Sequence, residues 1–318
     1  MTKKTILITG GFGFLGGRLG QHLSNHYHIL LGTRIKRDTP NWLSQAKVLQ
    51  IDWNSKKSLN KVCEKVDVII HASGMNAKKC ASDPEKALLV NGTFTKNLVK
   101  ASISQNVGKF IYLSTVHVYS DRLLGVIRES TPTVNTHPYA SSHIAGEDSV
   151  LLAIRQGYIE GAVVRIANAF GKPTHKDVDC WMLLVNDLCK QAQVKKTLTL
   201  NNDGSQVRDF VTVSDVCMAI EFLITDSQDS SNSIVNIGSG IAQTINQIAL
   251  RVQDNCFIVS GVLPKINKPK LLAKKQNNSL TVQTDYLNNS DFKFTNDFDQ
   301  EIRSLLDFCK EKFPPEKA

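Results

Sequence analysis

Short apolar runs recur along the chain at Ile6-Leu7-Ile8, His28 to Thr33, Val48 to Ile51, Val66 to Ile70, Phe110 to Ser114 and Ala162 to Ala167. They are too short for helices and suit buried strands. Between them, apolar residues return at helical spacing: Leu15, Leu19 and Leu23, then Leu88, Leu89, Val90, Phe94, Leu98 and Val99, then the stretch YASSHIAGEDSVLLA that opens at Tyr139. Asp83-Pro84 is a suitable start for the second of these helices, with proline in its first turn. Strands that alternate with helices, several of them apolar throughout, predict a doubly wound α/β fold with a parallel sheet covered on both faces.

Past Ala167 the rhythm loosens. Phe170-Gly171-Lys172-Pro173 reads as a turn, Val178 to Ala192 as a helix and Asp203-Gly204 as a further turn. RDFVTVSDV (208–216) reads as a short strand entering a helix capped by Ser214 or Asp215. Ser233 to Gly240 reads as a strand and turn, and Gln243 to Gln253 as a helix. Residues 256–295 hold Pro264, Pro269 and five lysines between Lys265 and Lys275, a composition that predicts loops and short strands under a solvated charge cluster. Phe298 to Phe313 reads as a closing helix with Ile302, Leu305, Leu306 and Phe308 on its apolar side.

The first strand runs directly into glycines. Gly10, Gly13 and Gly16 are spaced GxxGxxG between that strand and the first helix. A Cβ there would block both the tight turn and the approach of a pyrophosphate to the free N–H groups at the helix start. This context predicts a dinucleotide-binding Rossmann domain over residues 1–170. Residues 171–318 are then mainly a smaller substrate domain, with 212–240 a candidate to return to the first domain. The second strand ends at Arg34, followed by Lys36 and Arg37. A basic residue at that strand end accommodates a ribose 2′-phosphate, so NADP is expected ahead of NAD. Asp52, after the third strand, is a candidate acceptor for the adenine amino group, and the small residues of HASG (71–74) allow a cofactor to lie close.

Composition narrows the reading. The 318 residues carry a formal charge of +9, most of it ascribed to solvated lysines, with an anionic ligand such as a nucleotide as the functional part. No nucleic-acid motif or arginine-rich arm is present, so no nucleic-acid partner is expected. The seven cysteines form no CxxC pair, which argues for reduced thiols of a cytoplasmic protein and against a zinc or disulfide framework. No apolar run is long enough to span a bilayer and no leader is recognisable, so no membrane association is expected.

The motifs taken together resemble the extended short-chain dehydrogenase/reductase family, whose members act on nucleotide sugars with NAD or NADP. The resemblance is carried by TGGFGFLG (9–16), Asp52, HASG (71–74), Asn91-Gly92-Thr93, LSTVHVY (113–119), PYASSHIAGE (138–147), RIANAFG (165–171), DGSQVRDFVTVSDV (203–216) and NIGSG (236–240). It implies that Gly10, Gly13, Phe14, Leu15 and Gly16 hold the pyrophosphate, and that Asp52 and Trp53 meet the adenine. It further implies that Ala72, Ser73, Gly74, Asn91, Ser114 and Ile166 line the cofactor. Thr115 would bond the reacting oxygen, Tyr139 would be the general acid/base, and Asn168 and Arg208 would contact the nucleotide sugar. A homodimer through the Tyr139 helix is implied as well.

One position departs from the family. Its motif is Tyr-x-x-x-Lys, and here the sequence reads Tyr139-Ala140-Ser141-Ser142-His143. The lysine holds the nicotinamide ribose and its charge favours the tyrosinate. A histidine, with an ordinary pKa near 6.5, supplies little charge at neutral pH. Val116-His117 also replaces the Asp-Glu that dehydratases carry after the threonine, which disfavours a 4,6-dehydratase. Three functions stay open: reduction of a keto nucleotide sugar, 4-epimerisation with tightly held NAD, and nucleotide-sugar binding with impaired catalysis. Arg34 favours the first.

Overall fold

The computed structural model describes residues 3–226, 233–269 and 279–313. The first third of the chain forms β1 (Thr5–Thr9), α1 (Phe14–Leu23), β2 (His28–Thr33), β3 (Lys47–Gln50), α2 (Lys56–Cys63), β4 (Val68–His71), α3 (Ala77–Ser82), α4 (Pro84–Ala87), α5 (Phe94–Ser104) and β5 (Lys109–Thr115). The middle forms β6 (Gly125–Ile127), α6 (Pro138–Arg155), β7 (Glu160–Ile166), β8 (Asn168–Phe170), α7 (Leu184–Lys195), β9 (Thr197–Thr199), β10 (Val207–Thr212) and α8 (Val213–Thr225). The remainder forms β11 (Ile234–Ile237), β12 (Ala242–Thr244), α9 (Ile245–Ser260), β13 (Lys265–Asn267), β14 (Leu280–Val282), α10 (Asp285–Asn288) and α11 (Phe298–Lys312).

Seven strands make one sheet in the order β11-β7-β5-β4-β1-β2-β3, and every pairing in it is parallel. The apolar runs explain why both faces are covered. On β1, Ile6 and Ile8 enter one core while Leu7 enters the other. On β5, Ile111 and Leu113 join the first core, and Phe110 and Tyr112 the second. Each fully buried aliphatic side chain contributes about 1.5–3 kcal/mol, so the central strands anchor the sheet. The chain builds outward from β1 to β2 and β3, then returns to place β4 on the other side of β1. That reversal opens a crevice at the carboxyl ends of the strands, where α/β sheets bind ligands.

A third core gathers Leu188, Ile248, Leu305 and Phe298 from α7, α9 and α11, beside the small sheet β12-β10-β8. β11, although late in the chain, pairs with β7 from Ile234 to Ile237.

Several boundaries differ from the sequence pattern. The helix expected from Val178 begins at Leu184, because residues 175–183 fold into successive tight turns, with Val178 N–H on His175 O and Leu183 N–H on Cys180 O. Thr212, not Ser214 or Asp215, caps α8, its hydroxyl accepting from Asp215 N–H. α9 continues to Ser260 and stops at Gly261, whose φ of +69° ends the helix in the left-handed region, so 256–260 are helical. Between α4 and α5 the backbone widens into a π-helical turn, Leu88–Thr93. Of the five lysines between Lys265 and Lys275, Lys270, Lys274 and Lys275 lie outside the described residues. All seven cysteines are buried and unpaired. Burial pushes Cys63 up to about 11 and Cys180, Cys217 and Cys309 up to about 12.

Candidate active site

A cleft of about 1020 Å³ lies over the reversal point, between the carboxyl ends of the large sheet and the β8–β10 side. One wall is the glycine turn. Gly10 sits at φ +66°, and a Cβ on it would meet the Ala72 carbonyl oxygen at 2.7 Å. A Cβ on Gly16 would meet Gly10 O at 2.3 Å, so α1 rests directly on the turn. No side chain caps α1. The N–H groups of its first turn are therefore left for an anion. This uncapped turn, with no Cβ at Gly10 or Gly13, fits a dinucleotide pyrophosphate.

Of the residues expected around a cofactor, Gly10, Gly13, Phe14, Leu15, Arg34, Trp53, Ala72, Ser73, Gly74, Ser114 and Ile166 line the cleft. Gly16, Asp52 and Asn91 do not. Gly16 serves the packing of α1. Asp52 is exposed, and its Oδ1 accepts from Asn54 N–H at 3.0 Å. Asn91 is 1% exposed and works from behind: its Oδ1 accepts from Met75 N–H at 2.8 Å, and its amide donates to Ser142 Oγ at 3.0 Å. It thus pins the loop after β4 to α6. Ser114 lines the wall, yet its hydroxyl donates to Glu147 at 2.5 Å, and Glu147 pairs with Arg165 at 2.6 Å beneath. Arg34 is exposed at the end of β2, and the neighbouring Arg37 guanidinium lies 4.9 Å from the centre of the Phe12 ring.

The reactive groups meet where β5 ends and α6 begins. Pro138 occupies the first turn of α6, and His137 Nδ1 accepts from Tyr139 N–H at 3.2 Å. One turn along, the His143 ring stands edge-on to Tyr139 with ring centres 4.7 Å apart. Burial pushes the Tyr139 phenol up to about 12, and the facing Thr115 hydroxyl pulls it partly back. Burial pushes His143 down to about 4. A protonated phenol thus lies beside an uncharged imidazole at neutral pH. Thr115, Tyr139 and His143 all line the cleft.

The sequence pattern does not single out the support beneath them. The Tyr112 hydroxyl is 3.0 Å from His143 Nδ1. Its room comes from Gly146, where a Cβ would meet both the Tyr112 hydroxyl and the Asn91 carbonyl oxygen at 2.6 Å. His71 stacks on Tyr112 with ring centres 5.5 Å apart. It bonds Thr9 Oγ1 through Nδ1 at 2.6 Å and Thr95 Oγ1 through Nε2 at 2.9 Å. Burial, then His143, hold His71 down to about 3. A tyrosine and a histidine within apolar strands are the available signal, since a buried polar group requires a partner.

The opposite wall is made of side chains. Arg208 is half-buried, and burial holds it below its ordinary value. Asn168 donates to the Asp209 carbonyl at 2.7 Å, which fixes it beside β10. His117 also lines this wall, kept below its usual pKa by burial and by Arg208. At the mouth, Asp179 meets Lys79 at 2.9 Å and Asn76 at 3.2 Å, tying the 175–183 turns to α3. His175 is exposed and pairs with Asp177, whereas Cys180 is buried against Asn186, so neither enters the cleft. Among the described residues no cluster of three histidine, cysteine, aspartate or glutamate side chains could hold a metal, and no helix is long and apolar enough to cross a membrane.

The family model of the NAD dependent epimerase/dehydratase family matches residues 6–238. The chain belongs to that family. As an epimerase/dehydratase-family enzyme it has relatives with different reactions. It is 26% identical over 259 residues to the human dTDP-D-glucose 4,6-dehydratase, covering 77% of this chain and 72% of the other. It is 25% identical over 251 residues to the dTDP-6-deoxy-L-talose 4-dehydrogenase (NAD(P)(+)) of Kitasatospora kifunensis, covering 76% of each. In fold the family member is similar to the UDP-glucose 4-epimerase of Thermus thermophilus, a structure in complex with NAD, with a TM-score of 0.81 at 19% identity, covering 97% of this chain and 99% of that one.

Proposed function

We propose that the enzyme reduces the keto group of a nucleotide sugar, most simply a 4-keto group, drawing on NADPH and using Tyr139 as the proton donor. The observation that supports this reading above others is the uncharged setting of Tyr139. An epimerase begins by oxidising a hydroxyl and needs a base. Here the phenol is held near 12 and its neighbour His143 is neutral. That arrangement suits an acid, because Tyr139 keeps its proton until a carbonyl oxygen becomes basic enough to take it.

When bound, a reduced nicotinamide supplies the hydride. The Phe14 and Leu15 N–H groups and the glycine turn hold the pyrophosphate, and Ala72 and Gly74 leave room for the ribose. Trp53 rather than Asp52 forms the adenine-side wall. His143 faces the nicotinamide ribose, and Thr115 and Tyr139 share the carbonyl oxygen. Asn168 and Arg208 receive the nucleotide-sugar diphosphate. Arg34 favours the 2′-phosphate of NADP. We assign residues 1–170, with 212–240 returning, to the dinucleotide-binding part and the rest mainly to the substrate part. The exposed Leu88, Leu89 and Leu152 form the face of a homodimer, and seven free thiols suit the reducing cytoplasm.

The test is turnover of NDP-4-keto sugars with NADPH against NADH, in the parent and in Arg34→Asp. Preference for NADPH that the substitution reverses is expected. Protein that purifies with NAD bound and turns over without added reductant would overturn the reading in favour of a 4-epimerase. Cofactor binding without turnover, in the parent and in His143→Lys alike, would overturn it in favour of a binding protein.

A further inference from the structure

We infer that Tyr112 is a positioning residue: its hydroxyl fixes His143 as the tautomer with the proton on Nε2, so that position 143 donates a hydrogen bond into the cleft without carrying a charge. The inference rests on the reading of His143 as the residue that faces the cofactor ribose.

Proton counting carries the argument. A tyrosine hydroxyl has one proton to give, and a neutral imidazole has one N–H and one acceptor nitrogen. Two acceptors meet hydrogen-bond geometry with the Tyr112 hydroxyl, His143 Nδ1 at 3.0 Å and the Asn91 carbonyl at 3.5 Å, and Thr95 Oγ1 faces it as well. The second is at the limit of a hydrogen bond, and Thr95 Oγ1 already donates to that carbonyl at 2.6 Å. The Tyr112 proton therefore goes to Nδ1, and the imidazole proton goes to Nε2.

The surroundings enforce this placement. Gly146 leaves the pocket for the hydroxyl, and the stacked His71 closes it from below. The Asn91 amide is spent on Ser142, so it does not compete for the Tyr112 oxygen. On the cleft side, His143 Cε1 comes within 3.9 Å of a Cβ built on Gly74, which places the imidazole edge against the loop after β4. His143 Nε2 has no partner among the described residues and is not among their buried, unbonded atoms. It is the ring nitrogen left for a ligand. A lysine ammonium donates whatever surrounds it. A neutral imidazole shares its one proton between two nitrogens, and a partner that donates to Nδ1 biases that proton to Nε2; Tyr112 is placed to do so.

The experiment is ¹⁵N NMR of histidine-labelled, ligand-free protein. The chain has eight histidines, and the His143 signals are assigned by their loss in His143→Gln. A protonated-type Nε2 with a pyridine-type Nδ1 is expected, and the reverse pattern overturns the inference. In Tyr112→Phe the two signals are expected to move together toward a mixture of tautomers, and an unchanged spectrum overturns it. If that variant fails to fold, the parent spectrum decides alone. NADPH titration supplies a second readout. Tyr112→Phe is expected to weaken binding about threefold to tenfold, the usual worth of one hydrogen bond. The loss is expected to vanish in a His143→Lys background, because the ammonium needs no tautomer. An equal loss in both backgrounds would make Tyr112 mere packing. Protein that binds no dinucleotide at all would end the functional reading, while its spectrum would still decide the tautomer.

Discussion

The wall formed by β1, the glycine turn and α1 presents backbone to the cleft, and the wall formed by β8, β10 and the 175–183 turns presents side chains. On the first, the feature is a missing Cβ at Gly10 and Gly13, with Gly16 letting α1 rest on the turn behind them. On the second, it is the placement of Arg208, Asn168 and His117, with Arg208 donating to Gln206 and Asn168 to the Asp209 carbonyl. A backbone wall recognises what every dinucleotide shares. A side-chain wall can be rewritten one residue at a time while the fold stays the same. Tyr139 and His143 stand at the seam.

Three substitutions separate the walls. The largest effect is expected at the seam. Tyr139→Phe should lower turnover about 10²–10⁴-fold while NADPH titration stays unchanged; a smaller loss would move the proton donor elsewhere. Gly10→Ala strikes the backbone wall. The left-handed φ and the 2.7 Å approach to Ala72 O should cost about 1–3 kcal/mol, read as a lower urea midpoint and weaker NADPH binding. Arg208→Ala strikes the other wall. It should raise KM for the nucleotide sugar roughly 10-fold or more, as expected for a hydrogen bond to a charged group, with cofactor affinity intact. A matching loss of cofactor affinity would show that the walls are not independent.

The smallest and most gradual effect follows acid. His143 and His71 are held down to about 4 and about 3, below the unfolded value near 6.5. The unfolded chain then binds protons that the native chain refuses. Stability is complete above about pH 6.5 and falls as pH drops toward 4, with a slope up to about 1.4 kcal/mol per unit for each histidine. Urea midpoints between pH 7 and 4 measure it. His143→Gln should flatten part of the fall, and an unchanged slope would place the acid sensitivity elsewhere.

Much of this is legible in the sequence, and for identifiable reasons. β1, β4 and β5 are apolar on both faces, and the turn after β1 requires glycine, so local pattern and final structure agree. The pattern starts α7 too early because Val178 and Trp181 mimic helical spacing, whereas Asp179 is drawn across the mouth to Lys79. It ends α9 too early because the prolines beyond the helix mask the true stop, Gly261. Position alone offers Asp52 to a ligand, but its carboxylate is engaged in its own turn with Asn54. Tyr112 and Gly146 escape notice because their relation is a contact between a strand and a helix. Neither residue is unusual alone, and only the fold shows that one makes space for the other.

The seven buried thiols give the molecule an internal clock for its own breathing. Each has its pKa raised by burial, so each stays silent toward alkylating reagents until its segment opens. Cys189, Cys256 and Cys309 report on the α7–α9–α11 core, and Cys63 on the layer behind the large sheet. Cys80 lies under Asn91, next to the loop that borders the cleft. The order in which these sulfurs become labelled ranks the parts of the protein by how often they come apart, and a ligand that slows Cys80 alone reveals which part it has closed.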